Sequence, residues 1–261
     1  MRSLDIGSTG MMAQQTNVDV ISNNIANMST TGYKRQNVAF MDLIYQNIQR
    51  PGSTSSDVGT IMPSGIQLGL GTRVGGVYRQ HEQGALEITD NPFDLAITGD
   101  GFFQVQLPDG ETAYTRDGTF GINQDGELVT QQGYTVEPAI TVPDDATDVT
   151  INQSGEVFAK IEGQVALTNL GQLQLASFVN PTGLDAIGDN LFLESEASGP
   201  ATIGTPAEDN FGEIRQGALE NSNVDVVEEI TNLIEAQRAY EMNSKVISTS
   251  DEMLGTVTQL R

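Results

Sequence analysis

Apolar residues recur every seven positions at both ends of the chain, and this periodicity constrains the fold more than any other feature. Near the start the repeat consists of Leu4, Met11, Val18 and Ile25, with Ile21 and Met28 three residues further on. Near the end it consists of Val226, Leu233, Tyr240, Ile247 and Leu254. Such a repeat keeps one stripe of a helix against a partner helix. The sequence therefore predicts long N- and C-terminal helices packed as a coiled-coil-like pair.

Two further features of these segments favour assembly over a closed monomer. A second C-terminal stripe consists of Ala239, Val246, Met253 and Leu260. It is more apolar surface than one helix pair can cover, which indicates partners from other subunits. The first segment contains Gly7 and Gly10 and several β-branched residues, so on its own it is expected to be mostly unfolded. The alternative is a helical hairpin that merely ties the two termini of a monomer together.

The middle of the chain is predicted to be an all-β domain inserted between the helices, which makes the fold class α+β. Asp-Gly pairs begin at positions 100, 109, 117 and 125, with aromatic and aliphatic residues between them. Asp-Gly favours tight hairpin turns because glycine adopts positive φ without strain. A calcium site is the alternative interpretation, but the regular spacing of carboxylates in a calcium-binding loop is missing. Later apolar stretches extend the β domain at residues 149–151, 157–161, 170–179 and 191–193.

The segment from residue 23 to residue 35 reads Asn-Asn-Ile-Ala-Asn-Met-Ser-Thr-Thr-Gly-Tyr-Lys-Arg. It resembles the N-terminal signature of the bacterial flagellar rod and hook proteins. The resemblance continues at residues 99–105, 113–118 and 222–260, and the stretch from 235 to 245 is similar to the C-terminal helix of that family. The residues that match the signature are Asn23, Asn24, Ile25, Ala26, Asn27, Thr31, Gly32, Tyr33 and Lys34.

The resemblance implies a structural subunit of the distal part of the flagellar rod, which polymerises helically into a hollow drive shaft across the periplasm. A proximal rod or hook subunit of the same family is the alternative. The implied partners are other copies of the chain, proximal rod proteins, the hook protein, the rod cap and the surrounding ring proteins. The chain starts without an apolar signal core, and the resemblance implies passage through the flagellar export apparatus without a cleaved signal peptide.

These observations divide the chain into four predicted segments: an N-terminal helical rod domain at 1–49, an extended arm at 50–76, an acidic β-rich domain at 77–220 and a C-terminal helix at 221–261. The arm is rich in Gly, Pro and Ser, which predicts irregular structure, either as a loose linker or as an ordered arm. Its apolar residues include Ile61, Met62, Ile66, Leu68 and Leu70. Ile61, Ile66 and Leu68 are predicted to join the heptad residues, Val246 and Met253 in contacts between subunits.

Charge and composition exclude several classes of function. Residues 80–220 hold 24 acidic and three basic residues, which accounts for −21 of the formal net charge of −23. Such a domain repels nucleic acid and anionic membranes, so neither nucleic-acid binding nor direct membrane insertion is expected. His81 is the one histidine and cysteine is absent, so we expect no catalytic residue, cofactor or metal. A peptidoglycan hydrolase using paired carboxylates and a secreted adhesin are the alternatives from other classes.

Overall fold

The computed structural model describes residues 2–49, 64–162, 166–208 and 210–259. Over these residues the chain is α+β, with helix α1 (Arg2–Ala26) first, strands in the middle and helix α2 (Val226–Gln259) last. The described residues form two compact units. The helix unit lies within Met1–Ile25, Gln36–Tyr78 and Asp225–Arg261, and the β unit within Ala26–Arg35 and Arg79–Val224. No helix of the described chain combines the length and the apolar character needed to cross a membrane.

The helix unit contains two pairs of strands beside its helices. Strand β1 (Gln36–Asp42) pairs with β4 (Thr72–Arg79), and β2 (Tyr45–Gln49) pairs antiparallel with β3 (Ile66–Gly69). The predicted helical domain 1–49 is therefore helical only as far as Ala26. Beyond residue 35 apolar residues alternate with polar ones, as at Val38 and Phe40, and this period of two favours strands.

The predicted arm, residues 50–76, also contains regular structure. Two strands, β3 and the first part of β4, occupy positions that the Gly content assigned to irregular chain. Leu70 lies between them, and backbone pairing with β1 and β2 supplies the hydrogen bonds that the composition did not indicate. Residues 50–63, which include Ile61 and Met62, lie outside the described residues.

Helix α2 has an acidic first turn, which contains Glu228 and Glu229. The Asp225 carboxylate accepts hydrogen bonds from the amides of Val227 (2.8 Å) and Glu228 (3.2 Å), which identifies Asp225 as the N-cap. The Ser222 hydroxyl accepts a bond from the Val224 amide just before the helix. Over its 34 residues α2 is about 50 Å long.

The β unit has one large sheet and several small ones. Its remaining strands are β5 (Leu86–Ile88), β6 (Leu95–Thr98), β7 (Phe102–Gln106), β8 (Thr112–Thr115), β9 (Phe120–Ile122), β10 (Leu128–Thr130), β11 (Thr135–Glu137), β12 (Ala146–Ile151), β13 (Glu156–Ile161), β14 (Thr168–Gln172), β15 (Leu175–Ser177), β16 (Asp185–Gly188), β17 (Leu191–Leu193), β18 (Thr202–Gly204), β19 (Glu213–Gln216) and β20 (Ala218–Glu220). Among the described residues the large sheet has nine strands, in the order β16-β17-β8-β7-β11-β10-β9, with β15 pairing both β7 and β18. Strands β12, β13 and β14 form a second sheet, while β6 pairs with β19 and β5 with β20.

Two hydrophobic clusters hold the β unit together. The larger contains fully buried Leu95, Phe103, Val136 and Leu175, drawn from β6, β7, β11 and β15. The smaller is aromatic and consists of Phe102, Tyr114, Ala176, Phe178, Leu184 and Phe192. Opposite faces of β7 thus enter different clusters, since Phe102 and Phe103 are consecutive residues of one strand.

The four predicted Asp-Gly turns serve two different purposes. The pairs at 109 and 125 lie in hairpin turns, between β7 and β8 and between β9 and β10. The pairs at 100 and 117 do not close hairpins, because β6 pairs with β19 and β8 pairs with β7 and β17. At position 118 a Cβ would lie 1.6 Å from the Leu95 carbonyl oxygen, so glycine is needed there for close backbone contact with β6.

Two turns of the β unit share one sequence pattern and one set of hydrogen bonds. Ile122–Glu127 and Ile151–Glu156 both read Ile-Asn-Gln-x-Gly-Glu. In each, the Asn side-chain oxygen accepts from the Glu amide (2.8 and 2.9 Å), and the Asn amide group donates to the Glu carboxylate (3.1 and 2.7 Å). The glycine carbonyl of each turn then accepts a bond from a later amide, that of Val142 or Leu173. The β unit therefore contains a duplicated turn.

Candidate functional site: assembly surfaces and a linker clasp

The centre of the contact between α1 and α2 is made by small and polar side chains. The buried residues of α1 are Gly7, Ala13, Ile21 and Asn24, and those of α2 include Glu229, Ala236 and Ser250. Most of the predicted heptad residues are only partly buried. They are Leu4, Met11, Val18, Ile25, Val226, Leu233, Ile247 and Leu254. Tyr240 and Met28 are exposed. The predicted apolar stripes thus flank the centre of the helix pair and keep surface free.

Glycines allow the two helices to approach closely. A Cβ on Gly7 would lie 2.9 Å from Cγ1 of Ile247, and one on Gly10 would lie 2.8 Å from Nδ2 of Asn243. Contacts of this length do not occur between real Cβ atoms and side chains, so the neighbour would have to move. Gly7 and Gly10 lower the helix propensity of α1, but because they have no side chain they allow side chains of α2 to contact the backbone of α1.

A polar network joins three elements at the other end of the helix pair. Nδ2 of Asn24 donates to the Gln36 carbonyl (2.9 Å) and to Oε2 of Glu229 (3.3 Å), and Oδ1 of Asn24 accepts from the Gln36 amide (2.9 Å). Asn24 and Glu229 are each 1% exposed. Buried polar pairs in a helix seam are costly unless they are satisfied, so this pair favours one register of α1 against α2.

The second predicted stripe of α2 is largely open to solvent. Val246 is 45% exposed and Met253 55%, while Ala239 is partly buried and Leu260 lies outside the described residues. Further exposed apolar residues of α2 are Val227, Ile230, Ile234 and Met242. Between the helices lies an open groove of about 420 Å³, lined by Gln15, Val18, Gln237, Tyr240 and Glu241. A single chain leaves this apolar surface uncovered.

The strand pairs of the helix unit expose apolar side chains as well. Ile66 and Leu68, two of the predicted interface residues, are 50% and 41% exposed on β3. Neighbouring apolar residues are exposed as well. They are Phe40, Met41, Ile44, Tyr45, Ile48, Leu70, Val77 and Tyr78. Such a group of exposed apolar residues on two strand pairs is a candidate surface for protein-protein contact.

The second half of the family signature lies in the β unit and not on helix α1. Asn23 and Ala26 are exposed, Ile25, Asn27, Thr31 and Tyr33 are partly buried, and Gly32 and Lys34 are buried. Gly32 has φ +69°, and a Cβ there would lie 2.8 Å from the Asp117 amide nitrogen. Only glycine fits this combination of backbone conformation and close contact. The Thr31 carbonyl accepts a bond from the Asn190 side chain (3.0 Å).

Glu220 connects the signature to the rest of the β unit. Its Oε1 accepts from Lys34 Nζ (2.6 Å) and the Gly84 amide (2.9 Å), its Oε2 faces Arg116 Nη1 at 3.4 Å, and its carbonyl accepts from the Gly32 amide (2.8 Å). Lys34 also donates to the Glu82 carbonyl (2.8 Å). Burial lowers the pKa of Lys34, and the Glu220 carboxylate opposes that shift.

Asn223 holds the end of the signature a few residues further on. Its Oδ1 accepts from the Arg35 amide (2.7 Å), and its Nδ2 donates to the carbonyls of Gln80 (2.9 Å) and Glu82 (3.1 Å). The Gln80 amide in turn donates to the Arg35 carbonyl (2.9 Å). We call these contacts of residues 31–35 with residues 80–84, Glu220 and Asn223 the linker clasp.

His81 lies beside the clasp, in contact with the aromatic cluster. Its ring meets Phe102 and Phe192 edge-on at centroid distances of 5.7 and 6.0 Å. Arg116 and Arg79 lie over these two phenyl rings, each at 5.4 Å from the centroid. Burial lowers the pKa of His81 to about 4, and the positive charges of Lys34, Arg116 and Arg79 add to the shift. The imidazole is therefore a neutral packing group at pH 7.

Glu220, Arg116, Asn223 and His81 were not predicted as site residues. Glu220 counted as one more acid of a solvated acidic domain, although it is 1% exposed. One signal was available, since Lys34 and Arg35 are the charged residues of the signature segment and a charged side chain requires solvent or a partner. The partner of Lys34, Glu220, lies 186 residues away in the sequence. Periodicity relates only positions within one element, so it could not identify this partner.

The fold and its exposed apolar surfaces are those of a subunit that assembles with other chains, and comparison with known proteins agrees. Family models match at residues 4–34 (flagella basal body rod protein), 96–159 (flagellar hook protein FlgE/F/G D1 domain) and 215–260 (flagellar basal body rod FlgEFG protein C-terminal). The flagellar basal-body rod protein FlgG of Caulobacter vibrioides is 57% identical over the whole of both chains. FlgG of Agrobacterium fabrum is 50% identical over 99% of each chain, and FlgG of Bacillus subtilis 40% over 100% of this chain and 99% of its own.

The chain therefore belongs to the flagellar basal-body rod protein family and is a structural subunit of the flagellar basal-body rod. The full-length similarity to FlgG proteins confirms the prediction, made from the terminal signatures, of a rod protein similar to that of the distal rod.

Proposed function

We propose that copies of this chain polymerise helically into a hollow distal rod, a drive shaft that crosses the periplasm and transmits torque to the hook. The observation that carries the proposal is the uncovered apolar surface of the helix unit. Val246 and Met253 leave about half of their surface exposed along a helix of 34 residues. Each such side chain contributes roughly 1.5 to 3 kcal/mol when a neighbouring copy covers it.

The inward-facing residues of α2 support a coiled-coil-like pairing of the terminal helices within that polymer. Partly or fully buried positions follow one another at alternating intervals of four and three residues. They are Glu229, Leu233, Ala236, Asn243, Ile247, Ser250 and Leu254, with exposed Tyr240 completing the series. This is the spacing of a heptad seam, and its small and polar members allow a close approach.

A second contact between copies is proposed for the strand pairs of the helix unit. Ile66 and Leu68 remain about half exposed, and Ile44 (81% exposed) and Ile48 (57%) more than half. Ile61, which the sequence places in the same set, lies outside the described residues. Contacts through this surface would brace neighbouring subunits and stiffen the shaft, because they are separate from those of the helices.

The same proposal covers the other flagellar partners. A rod of this kind joins proximal rod proteins at one end and the hook protein at the other, grows beneath a rod cap and turns inside ring proteins. Its subunits reach the growing end through the flagellar export apparatus. The role is structural, without enzymatic activity, and neither nucleic acid nor membrane insertion has a part in it.

Charges placed in the helix seam test the polymer. In Leu233→Asp and in Ile247→Asp a carboxylate enters a partly buried helix contact that the polymer would bury further, which costs several kcal/mol if the charge stays unpaired there. Ser248→Asp is the matched control, because it adds the same charge to an exposed position of the same helix. We expect the two seam variants to form no filaments by electron microscopy and sedimentation, and the control to polymerise. The circular dichroism unfolding transition of the β unit should be retained in all three.

Two results would count against the proposal. The first is a wild-type chain that stays monomeric at every concentration and salt tested. The second is a set of normal filaments from both seam variants, which would show that the helix pair is not where the copies are joined.

A further inference from the structure

We infer that the linker clasp forms in the soluble chain before assembly and acts as a splint. By this we mean that it joins the segment after α1 to the segment before α2, which keeps the two helices close enough to pair during assembly. The inference deepens the proposed function and rests on it. It assigns a role to the signature residues from 31 to 35, which lie in the β unit and contribute nothing to the exposed apolar stripes.

The contacts of the clasp are buried and hydrogen-bonded, as in the stable part of a folded domain. Lys34 and Glu220 are 2% and 1% exposed, and their side chains meet at 2.6 Å. Backbone groups are paired across the same junction at Gly32, Arg35 and Gln80. Each of these contacts is made among residues of the β unit, so none of them needs the helices to be folded.

The clasp shortens the loop that helix pairing must close. Helix α1 ends at Ala26 and α2 begins at Val226, and the Gly32 to Glu220 bond reduces the intervening chain to about 12 residues. Without the clasp, the nearest fixed pairings are those of β1 with β4 and of β5 with β20, and the loop grows to about 25 residues. The probability that the ends of a flexible loop meet falls with roughly the 3/2 power of its length, so the clasp raises the local concentration of one helix near the other about threefold.

Hydrogen exchange on the soluble full-length chain tests whether the clasp is preformed. We expect the amides of Gly32, Arg35 and Gln80 to be protected before assembly, and those of the first half of α1 to exchange quickly. Exchange of Gly32 and Arg35 at the rate of an unstructured peptide would overturn the inference. Failure of the wild-type chain to polymerise would instead overturn the proposed function, and the protection measured at these amides would be unaffected by it.

A pair of asparagine variants tests the effect on assembly. Asn223→Ala removes the acceptor of the Arg35 amide and the donor to Gln80 and Glu82. Asn221→Ala, two residues earlier, removes only a side-chain bond to Glu87 and is the matched control. We expect Asn223→Ala to assemble up to about threefold more slowly than Asn221→Ala, as followed by light scattering. Equal rates would overturn the inference.

A pair of glycine variants provides an independent measurement if Asn223→Ala proves poorly folded. Gly32→Ala combines a left-handed backbone position with a contact of 2.8 Å to the Asp117 amide, so the linker must leave the β unit. Gly110→Ala carries the same kind of backbone strain, at φ +88°, with no atom within 4 Å of the added Cβ. Slower assembly of Gly32→Ala alone supports the splint, and equal assembly of the two variants contradicts it.

Discussion

At the scale of single residues, the buried charges of the β unit show where sequence reasoning ends. The residue types of the signature were recognisable, and the family they implied is confirmed. What they do physically was not, because the partner of Lys34 is one of 24 acids in a domain that looked uniformly solvated. Glu220 is distinguished from the others by burial alone, and burial depends on contacts across 186 residues of chain.

His81 carries a prediction about pH at this scale. Its pKa is lowered to about 4 in the folded chain, whereas an unfolded histidine titrates near 6.5. The unfolded state therefore binds the proton more readily, and the folded state loses stability as the pH falls from about 6.5 towards 4. Above pH 7 both states are neutral at this residue, and it adds no pH dependence.

The comparison that isolates this effect is wild type against His81→Gln. Between pH 7 and pH 4 the free energy of unfolding of the wild type should fall by roughly 3 kcal/mol more than that of the variant. Carboxylates titrate in both proteins, so their contribution cancels in the difference. Urea unfolding followed by circular dichroism gives the two curves. Parallel curves over this pH range would show that His81 can accept a proton in its aromatic surroundings.

At the scale of elements, helices were easier to predict than turns. The heptads located both terminal helices, because periodicity of seven is a property of the element itself. An Asp-Gly pair indicates that the backbone needs glycine at that position. It does not show whether the reason is a hairpin turn or a close crossing, in which the glycine packs against the backbone of another strand. The turn at 109 is of the first kind and the crossing at 117 of the second. The duplicated turn was visible as Ile-Asn-Gln-x-Gly-Glu at 122 and 151, and a search for internal repeats would have found it.

The small residues of α1 lead to a prediction about helix packing. In Gly10→Leu the added side chain meets Asn243 at the point of closest approach, and overpacking of this kind typically costs 1–3 kcal/mol. Gly255→Leu is the control, because among the described residues no atom lies within 4 Å of a Cβ there, and the change raises helix propensity by about 1 kcal/mol.

Thermal disassembly of filaments, followed by light scattering, measures both variants. We expect filaments of Gly10→Leu to dissociate at a lower temperature than wild type, and those of Gly255→Leu at the same or a higher one. A Gly10→Leu filament as stable as the wild type would mean that α1 and α2 lie further apart in the polymer than in the single chain.

At the scale of the whole molecule, the two units differ in how much of their stability comes from the single chain. The larger cluster of the β unit contains 14 buried hydrophobic residues. Of the 25 residues of α1, the buried ones are Gly7, Ala13, Ile21 and Asn24, and Ile21 is the one large apolar side chain among them. Composition marked the middle of the chain as acidic, since residues 80–220 carry most of the net negative charge. It could not predict that residues 26–35 fold with that domain, since they follow the helix without a change in composition.

This imbalance leads to a prediction about the soluble subunit: segments 1–32 and 222–261 are largely unfolded before assembly and fold on a neighbouring copy, apart from the few residues that the clasp holds. Ordering a residue costs roughly 1–2 kcal/mol of backbone entropy, and the little apolar surface that α1 buries in one chain does not offset that cost over 25 residues. In the polymer the exposed stripes of α2 and the strand pairs become buried, and the free energy gained from the buried apolar surface then exceeds the entropy cost.

Hydrogen exchange on monomer and filament samples in the same buffer measures the folding of these segments directly. We expect the amides from Val18 to Ile25 to exchange quickly in the monomer and to be strongly protected in the filament, while those of β7 and β8 are protected in both. Strong protection of Val18 to Ile25 in the monomer would show that the helix pair is stable alone, and growth at the tip would then require no coupling between folding and assembly.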